Sequence, residues 1–140
     1  MKIHSFIIVC LLLPGFNNQK KIDCSKFRNG KFICYDRNNN NEIYSVERND
    51  SIQAVIWEGS KFLTKEKIIW SAECNYKLTH LTTESIDTLP NGRKIIQDYE
   101  GPAEKEFKIV NVSEDYYVFE TRRLKNKVLS RHHVGFKIAE

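Results

Sequence analysis

The sequence predicts an all-β protein, an antiparallel meander of about eight strands, on three observations. Between Ile68 and Leu81 the chain reads IIWSAECNYKLTHL, where even positions are mostly apolar or aromatic and the odd positions Ser71 to Thr79 are polar. Because strand side chains alternate between two faces, this pattern indicates a half-buried strand. Short runs rich in Val, Ile, Tyr and Phe alternate with polar turns elsewhere, and no segment keeps a helical period.

Three strands are expected before the long one. The first, Lys31–Tyr35, ends at a run of asparagines, which suits a tight turn because asparagine tolerates left-handed backbone. Glu42–Glu47 returns from that turn, and Ile52–Trp57 follows a second polar cluster. The only helix expected is a turn or two near Ser25 or around Thr82–Asp87.

The fourteen residues Ile68–Leu81 would extend about 46 Å at ~3.3 Å per residue, beyond the usual strand length. We therefore expect this strand to bend at a bulge near Glu73 or to curl around a barrel. The strands expected after it are Arg93–Tyr99, Phe107–Val112, Tyr116–Thr121 and His133–Ile138. Eight sequential strands favour a lipocalin-like barrel or a strongly curled sheet, with a two-sheet sandwich as the alternative.

Five aromatic residues in the predicted strands are the candidates for a ligand pocket or for the core: Trp57, Trp70, Tyr76, Tyr117 and Phe119. In a packed interior they fill the core, whereas in a barrel that leaves space they line one apolar pocket. The long strand carries the sharpest form of the prediction. Its inward side chains should be Trp70, Cys74, Tyr76 and Leu78, and its solvent-facing ones Ser71, Glu73, Asn75 and Lys77.

The N-terminus predicts export. Lys2 precedes the apolar run Ile3–Phe16, which is too short to span a bilayer and fits the core of a signal peptide. We assign residues 1–19 to the signal peptide and 20–140 to a single β domain. The residues after Phe16 are larger than a signal peptidase prefers, so an uncleaved N-terminal anchor is an alternative. The expected location is the periplasm, the outer envelope or the medium, with membrane contact only through the N-terminal segment if it is uncleaved.

Three cysteines remain after such a cleavage, and export permits a disulfide. Cys24 begins the mature domain and Cys74 lies within the long strand, so a bridge between them would hold the N-terminus on the sheet. We favour this pairing, with Cys34 buried and free. The other pairings remain open, because sequence alone does not determine connectivity.

Residues with catalytic or metal-binding chemistry are scattered. His132 and His133 are adjacent and would face opposite sides of a strand, so they are not expected to share a metal; an exposed hairpin end is the simpler interpretation. His80 is expected to face solvent, and nothing in the sequence places a base beside Cys34. No catalytic residue, metal site or cofactor is predicted.

The chain has a formal net charge of +4, falling to about +3 without Lys2 (21 basic against 18 acidic residues). The charges are interspersed, as in Glu104-Lys105-Glu106, and this is typical of a solvated surface rather than a nucleic-acid interface. We therefore expect no nucleic-acid partner.

Three segments carry a resemblance: C-S-x-F-x-x-G-x-F from Cys24, R-N-D-S-I-Q from Arg48, and W-x-x-x-C-x-Y-x-L from Trp70. Together they resemble a family of short, exported, uncharacterised proteins of flavobacterial type. Some members carry the automatic label DNA topoisomerase IV, which a domain of about 120 residues without ATP-binding or DNA-cleavage apparatus does not support. The resemblance implies export, Cys24 and Cys74 as family positions, and no known activity.

The function expected from the sequence is that of an exported cell-envelope protein, a non-enzymatic β-barrel that binds a small apolar ligand or another envelope component. A structural or protein-interaction module with a solid core is the alternative. A hydrolase-type enzyme is the third hypothesis. The volume and polarity of any interior cavity distinguish the three.

Overall fold

The computed structural model describes residues 21–37, 39–124 and 131–138; for residues 39–41, 123 and 124 it describes the backbone alone. The signal peptide predicted over residues 1–19 lies outside the described residues. Within the described chain, a short 3-10 helix, Ser25–Phe27, precedes eight strands. The strands are β1 (Gly30–Asp36), β2 (Asn39–Arg48), β3 (Ile52–Trp57), β4 (Phe62–Trp70), β5 (Asn75–Ser85), β6 (Glu104–Val112), β7 (Tyr116–Leu124) and β8 (Arg131–Lys137).

Each strand pairs antiparallel with the next, and β8 pairs with β1 to close the barrel. Phe32 lies opposite Lys137 and Asp36 opposite His133 across this closing seam. The prediction of an all-β antiparallel meander is confirmed. Closure leaves no free sheet edge among these eight strands, so the two-sheet sandwich is excluded.

The single long strand expected over Ile68–Leu81 is wrong. The chain turns back at residues 71–74, where the amide of Ser71 donates to the carbonyl of Asn75 at 3.0 Å, and Trp70 then lies opposite Tyr76. Residues paired across a hairpin share a face, so even-numbered strand residues from Glu66 to His80 point inward and the alternation passes unbroken through the turn. A bulge at Leu81 then reverses the parity, and Thr83 and Ser85 are buried instead. Ile68, Tyr76 and Leu78 are accordingly buried.

Two further expectations are corrected. The strand expected at Arg93–Tyr99 is part of the long connection between β5 and β6, where the only β pairing described is an isolated bridge from Glu84 to Ile96. Strand β4 begins at Phe62, earlier than expected. The sequence pattern does not reveal this start, because the middle of the strand is rich in Thr, Lys and Glu. The count of eight is nevertheless correct, because the one expected long strand is two strands, β4 and β5, which offsets the missing strand at Arg93–Tyr99. The helix allowed around Thr82–Asp87 is absent, since β5 continues to Ser85, whereas the one near Ser25 is present.

One end of the barrel, called the closed end here, is sealed by the segment before β1. Phe27 from the 3-10 helix is fully buried against Tyr117, with ring centroids 5.0 Å apart, and Phe32 and Ile109 complete this part of the core. The seal leaves the opposite end, here called the mouth, as the side from which the interior is reached.

Candidate ligand cavity in the barrel

The barrel interior holds a cavity of about 320 Å³ between the packed closed end and the mouth. Such a volume is at the lower end of the range for small-molecule sites and equals about ten water molecules at liquid density. Every strand except β1 contributes to its wall. The aromatic part of the wall consists of Tyr44, Trp57, Tyr76, Phe107 and Phe119, and the apolar part adds Val46, Val55 and Leu78.

The floor of the cavity is polar, and four side chains join into one network there. Arg48 Nε donates to Gln53 Oε1 at 2.9 Å, and Gln53 Nε2 donates to Glu66 Oε2 at 3.2 Å. Lys105 Nζ lies 2.5 Å from Glu66 Oε1 as an ion pair. The first three side chains are buried, with exposed fractions of 4%, 4% and 1%, while that of Lys105 is 22% exposed. Lys105 is therefore the charged group of this network that a ligand reaches first.

Arg48 also anchors the closed end. Its guanidinium donates to the carbonyl of Phe27 at 3.1 Å and to the hydroxyls of Tyr76 and Tyr117 at 3.4 and 3.3 Å. The charge lies over the rings of Phe32, Tyr76 and Tyr117, with Cζ 4.9–5.7 Å from the centroids. Burial raises the pKa of Tyr76 to about 12, so its phenol stays neutral at physiological pH while its oxygen accepts the hydrogen bond from Arg48.

At the mouth, His133 faces the cavity. Its Nδ1 lies 3.2 Å from the hydroxyl of Tyr44, and its ring stacks on Phe119 with centroids 5.0 Å apart. Burial lowers the pKa of His133, although the charge of Asp36 acts in the opposite direction. Its neighbour His132 faces outward, with Nε2 3.4 Å from Glu120 Oε2. The two histidines face opposite sides as expected, but the interpretation of an exposed hairpin end is wrong for His133.

A second histidine also departs from expectation. His80 is half-buried rather than solvent-facing: its Nε2 lies 3.0 Å from Thr83 Oγ1, and its ring stacks on Tyr99 with centroids 3.9 Å apart. Tyr99 belongs to the connection between β5 and β6 and lines the mouth of the cavity. The stack is therefore one of the contacts that hold this connection beside the opening.

The five aromatic candidates divide between pocket and core. Trp57, Tyr76 and Phe119 line the cavity. Tyr117 is fully buried below it, in the core of the closed end. Trp70 lies outside the cavity, half-buried at the end of β4, where the guanidinium of Arg28 covers its ring at 4.5 Å.

The disulfide between Cys24 and Cys74 is present, with Cα atoms 5.4 Å apart, and Cys34 is free and buried. It ties the segment before the 3-10 helix to the turn between β4 and β5. Arg28 reinforces the same contact, since it donates to the carbonyls of Ala72 and Glu73 at 3.4 and 3.3 Å. Together these contacts keep Phe27 in place as the seal of the closed end.

Sequence reasoning missed the polar residues of the cavity, namely Arg48, Gln53, Glu66, Lys105 and His133. A usable signal was present for some of them. Arg48 continues the inward alternation of Tyr44 and Val46 on β2. Glu66 likewise occupies an inward position of β4, two residues before the buried Ile68. A charged residue at an inward position predicts either a buried pair or a ligand contact.

Among the described residues, no group of three or more His, Cys, Asp or Glu side chains is placed to hold a metal ion. Within the same part of the chain, no helix has the length and apolar character needed to cross a membrane.

Comparison with known proteins gives no match: no protein-family model fits this chain, and no curated protein or solved structure is significantly similar to it. The resemblance to the exported bacterial family and the likeness to lipocalin barrels therefore stay predictions.

Proposed function

We propose that this chain is a non-enzymatic binding protein that holds a small, largely apolar ligand inside the barrel. The observation that carries the proposal is the cavity of about 320 Å³, walled by aromatic side chains and sealed at one end. Mostly apolar concave sites with a few polar groups are typical of small-molecule binding. A structural module with a solid interior is less well supported, because such a module has no need of this space.

The chemistry of the interior favours binding over catalysis. Burial raises the pKa of Cys34 to about 12, so its thiol is protonated and a poor nucleophile. Cys34 also lies in the core below the cavity rather than on its wall. Burial also raises the pKa of Tyr44, whose hydroxyl lies 3.2 Å from Nδ1 of His133, so this phenol is protonated and a poor nucleophile as well.

The proposal is tested with N-phenyl-1-naphthylamine, a neutral probe whose fluorescence rises in apolar surroundings. Val55→Phe places a ring in the cavity, since Val55 is buried and on the cavity wall. We expect the wild-type chain to bind the probe saturably, and Val55→Phe to weaken binding at least about tenfold with little change in stability.

The matched control is Ile33→Phe, which adds the same ring at a residue that is 40% exposed and does not line the cavity. It should bind the probe as the wild type does. Absence of saturable binding to the wild-type chain, or equal weakening in both variants, would refute a ligand site in the barrel.

We further propose that the protein is exported to the periplasm, the outer envelope or the medium after loss of about nineteen residues. The disulfide between Cys24 and Cys74 supports this, because such bonds persist in oxidising compartments. Fractionation of the native host, with N-terminal sequencing of the recovered protein, tests the proposal. Intact chain in the cytosol contradicts it, and intact chain in the membrane identifies an uncleaved anchor instead.

A further inference from the structure

The floor of the cavity contains more positive than negative charge. Arg48 and Lys105 are cations and Glu66 is the one carboxylate of the network that joins them. Glu66 Oε1 is paired with Lys105, and its Oε2 reaches Arg48 only through the amide of Gln53. The network therefore contains two positive charges and one negative charge, and its net charge is +1.

The partners described for Arg48 are neutral. They are the side-chain oxygen of Gln53, the carbonyl of Phe27 and two tyrosine hydroxyls, with three aromatic rings around the guanidinium. These groups solvate the cation but do not cancel its charge. Uncompensated charge in a poorly hydrated interior is costly, so an anion entering the cavity gains more here than in water.

The mouth of the cavity has no such excess of positive charge among the described residues that line it. Glu42 and Arg131 both line it and carry opposite charges. His133 is neutral near pH 7, and the charge of Asp36 acts on it from nearby. The positive end of the cavity is therefore its floor, while the aromatic wall lies between the floor and the solvent.

We propose that the ligand is a singly charged organic anion, an acid group on an aromatic or hydrocarbon body, bound with the acid group at Lys105 on the floor. Its body then lies along Tyr44 and Trp57, which share the cavity wall on the side of the mouth and have ring centroids 4.5 Å apart. This assignment rests on the proposed function, since it specifies the ligand of the same cavity. Lys105 Nζ has three donors and forms an ion pair with one oxygen of Glu66, so it can donate to an incoming acid oxygen as well.

The test compares two probes with the same aromatic body, N-phenyl-1-naphthylamine and its sulfonated counterpart 8-anilinonaphthalene-1-sulfonate. The first is neutral and the second carries one negative charge. We expect the full wild-type chain to bind the sulfonate about tenfold more tightly or better, the gain of one charge-assisted hydrogen bond. The ratio of the two dissociation constants, here called the anion preference, removes contributions from the shared rings.

Variants that change the charge of the floor should change the anion preference in order. Glu66→Gln raises the floor charge to +2 and should increase the preference by about tenfold. Lys105→Met lowers it to zero and should abolish the preference, with affinity for the neutral probe retained. Lys108→Met is the matched control, because it removes one positive charge from the outer face of the same strand and should leave the preference unchanged.

Each outcome decides something. If neither probe binds the wild-type chain, the proposed function itself fails. If both bind equally, or the neutral probe binds more tightly, the cavity stands and the anion is refuted. Equal effects of Lys105→Met and Lys108→Met would show general attraction to a basic protein and also refute it. If Lys105→Met loses the neutral probe by misfolding, the comparison of Glu66→Gln with wild type decides.

Discussion

Gly135, in the middle of β8, has no side chain because Tyr117 occupies the space that one would need. A Cβ placed on Gly135 would lie 2.5 Å from Tyr117 Cε1 and 2.7 Å from its Cζ. Ordinary carbon contacts are about 3.5–4.0 Å, so one of the two residues would have to move by roughly 1 Å. We predict that Gly135→Ala strongly destabilises the barrel.

The surroundings of Tyr117 determine the magnitude. Its ring is fully buried and contacts Phe27, Phe32 and Phe119 at centroid distances of 5.0, 5.3 and 5.1 Å, so it has nowhere to shift. Overpacking a close-packed interior costs about 1–3 kcal/mol. Displacement of the hydroxyl from Arg48, now at 3.3 Å, adds about 1 kcal/mol or more. The expected loss in free energy of unfolding is therefore about 2–4 kcal/mol.

Urea unfolding followed by far-ultraviolet circular dichroism measures this loss. The decisive control repeats Gly135→Ala in a Tyr117→Leu background, where the contacting ring atoms are gone and the added methyl should cost under about 0.5 kcal/mol. Gly59→Ala is a second comparison, because Gly59 has open space around it and a positive φ of 76°, so only backbone strain of about 1–2 kcal/mol applies. A loss below about 0.5 kcal/mol for Gly135→Ala alone, or an equal loss in the Tyr117→Leu background, would show that the contact with Tyr117 does not exclude a side chain at Gly135.

Three further predictions follow from the described contacts. Reduction of the Cys24–Cys74 bond, which spans 50 residues, should lower the free energy of unfolding by about 4 kcal/mol on the chain-entropy model, and an unchanged urea midpoint under reductant would contradict this. The Cys34 thiol, whose pKa burial raises to about 12, should resist iodoacetamide at pH 8 until urea unfolds the chain; peptide mapping reads the result, and rapid labelling of the folded protein would show the thiol to be accessible. Because the pKa of His133 is lower in the folded chain than in the unfolded one, the unfolded chain takes up the proton first as the pH falls. The free energy of unfolding should therefore decline below about pH 6.5 and level off below the folded pKa; His133→Gln should flatten that decline, His132→Gln should retain it, and identical pH profiles for the two variants would count against the assignment.

The errors of the sequence prediction have a common origin. The alternation from Ile68 to Leu81 identifies the inward face but does not distinguish one strand from two, because Trp70 and Tyr76 pair across a hairpin and keep the same parity. Strand β4 was missed in part because Glu66, a charged residue, occupies an inward position. Its burial depends on Lys105, which is 39 residues away in the chain, and no local pattern contains that information.

Local chemistry therefore determined the all-β class, the approximate positions of most strands and the inward face near Tyr76, since alternation and turn composition are properties of neighbouring residues. The pairing of Cys24 with Cys74 was favoured on the same local grounds but became definite only when folding brought their Cα atoms within 5.4 Å. Tertiary structure alone decided the closure of β8 on β1, the space that remains above Tyr117, and the charge balance of the cavity floor. These features depend on distances between residues far apart in the chain, and such distances are set by packing rather than by sequence neighbours.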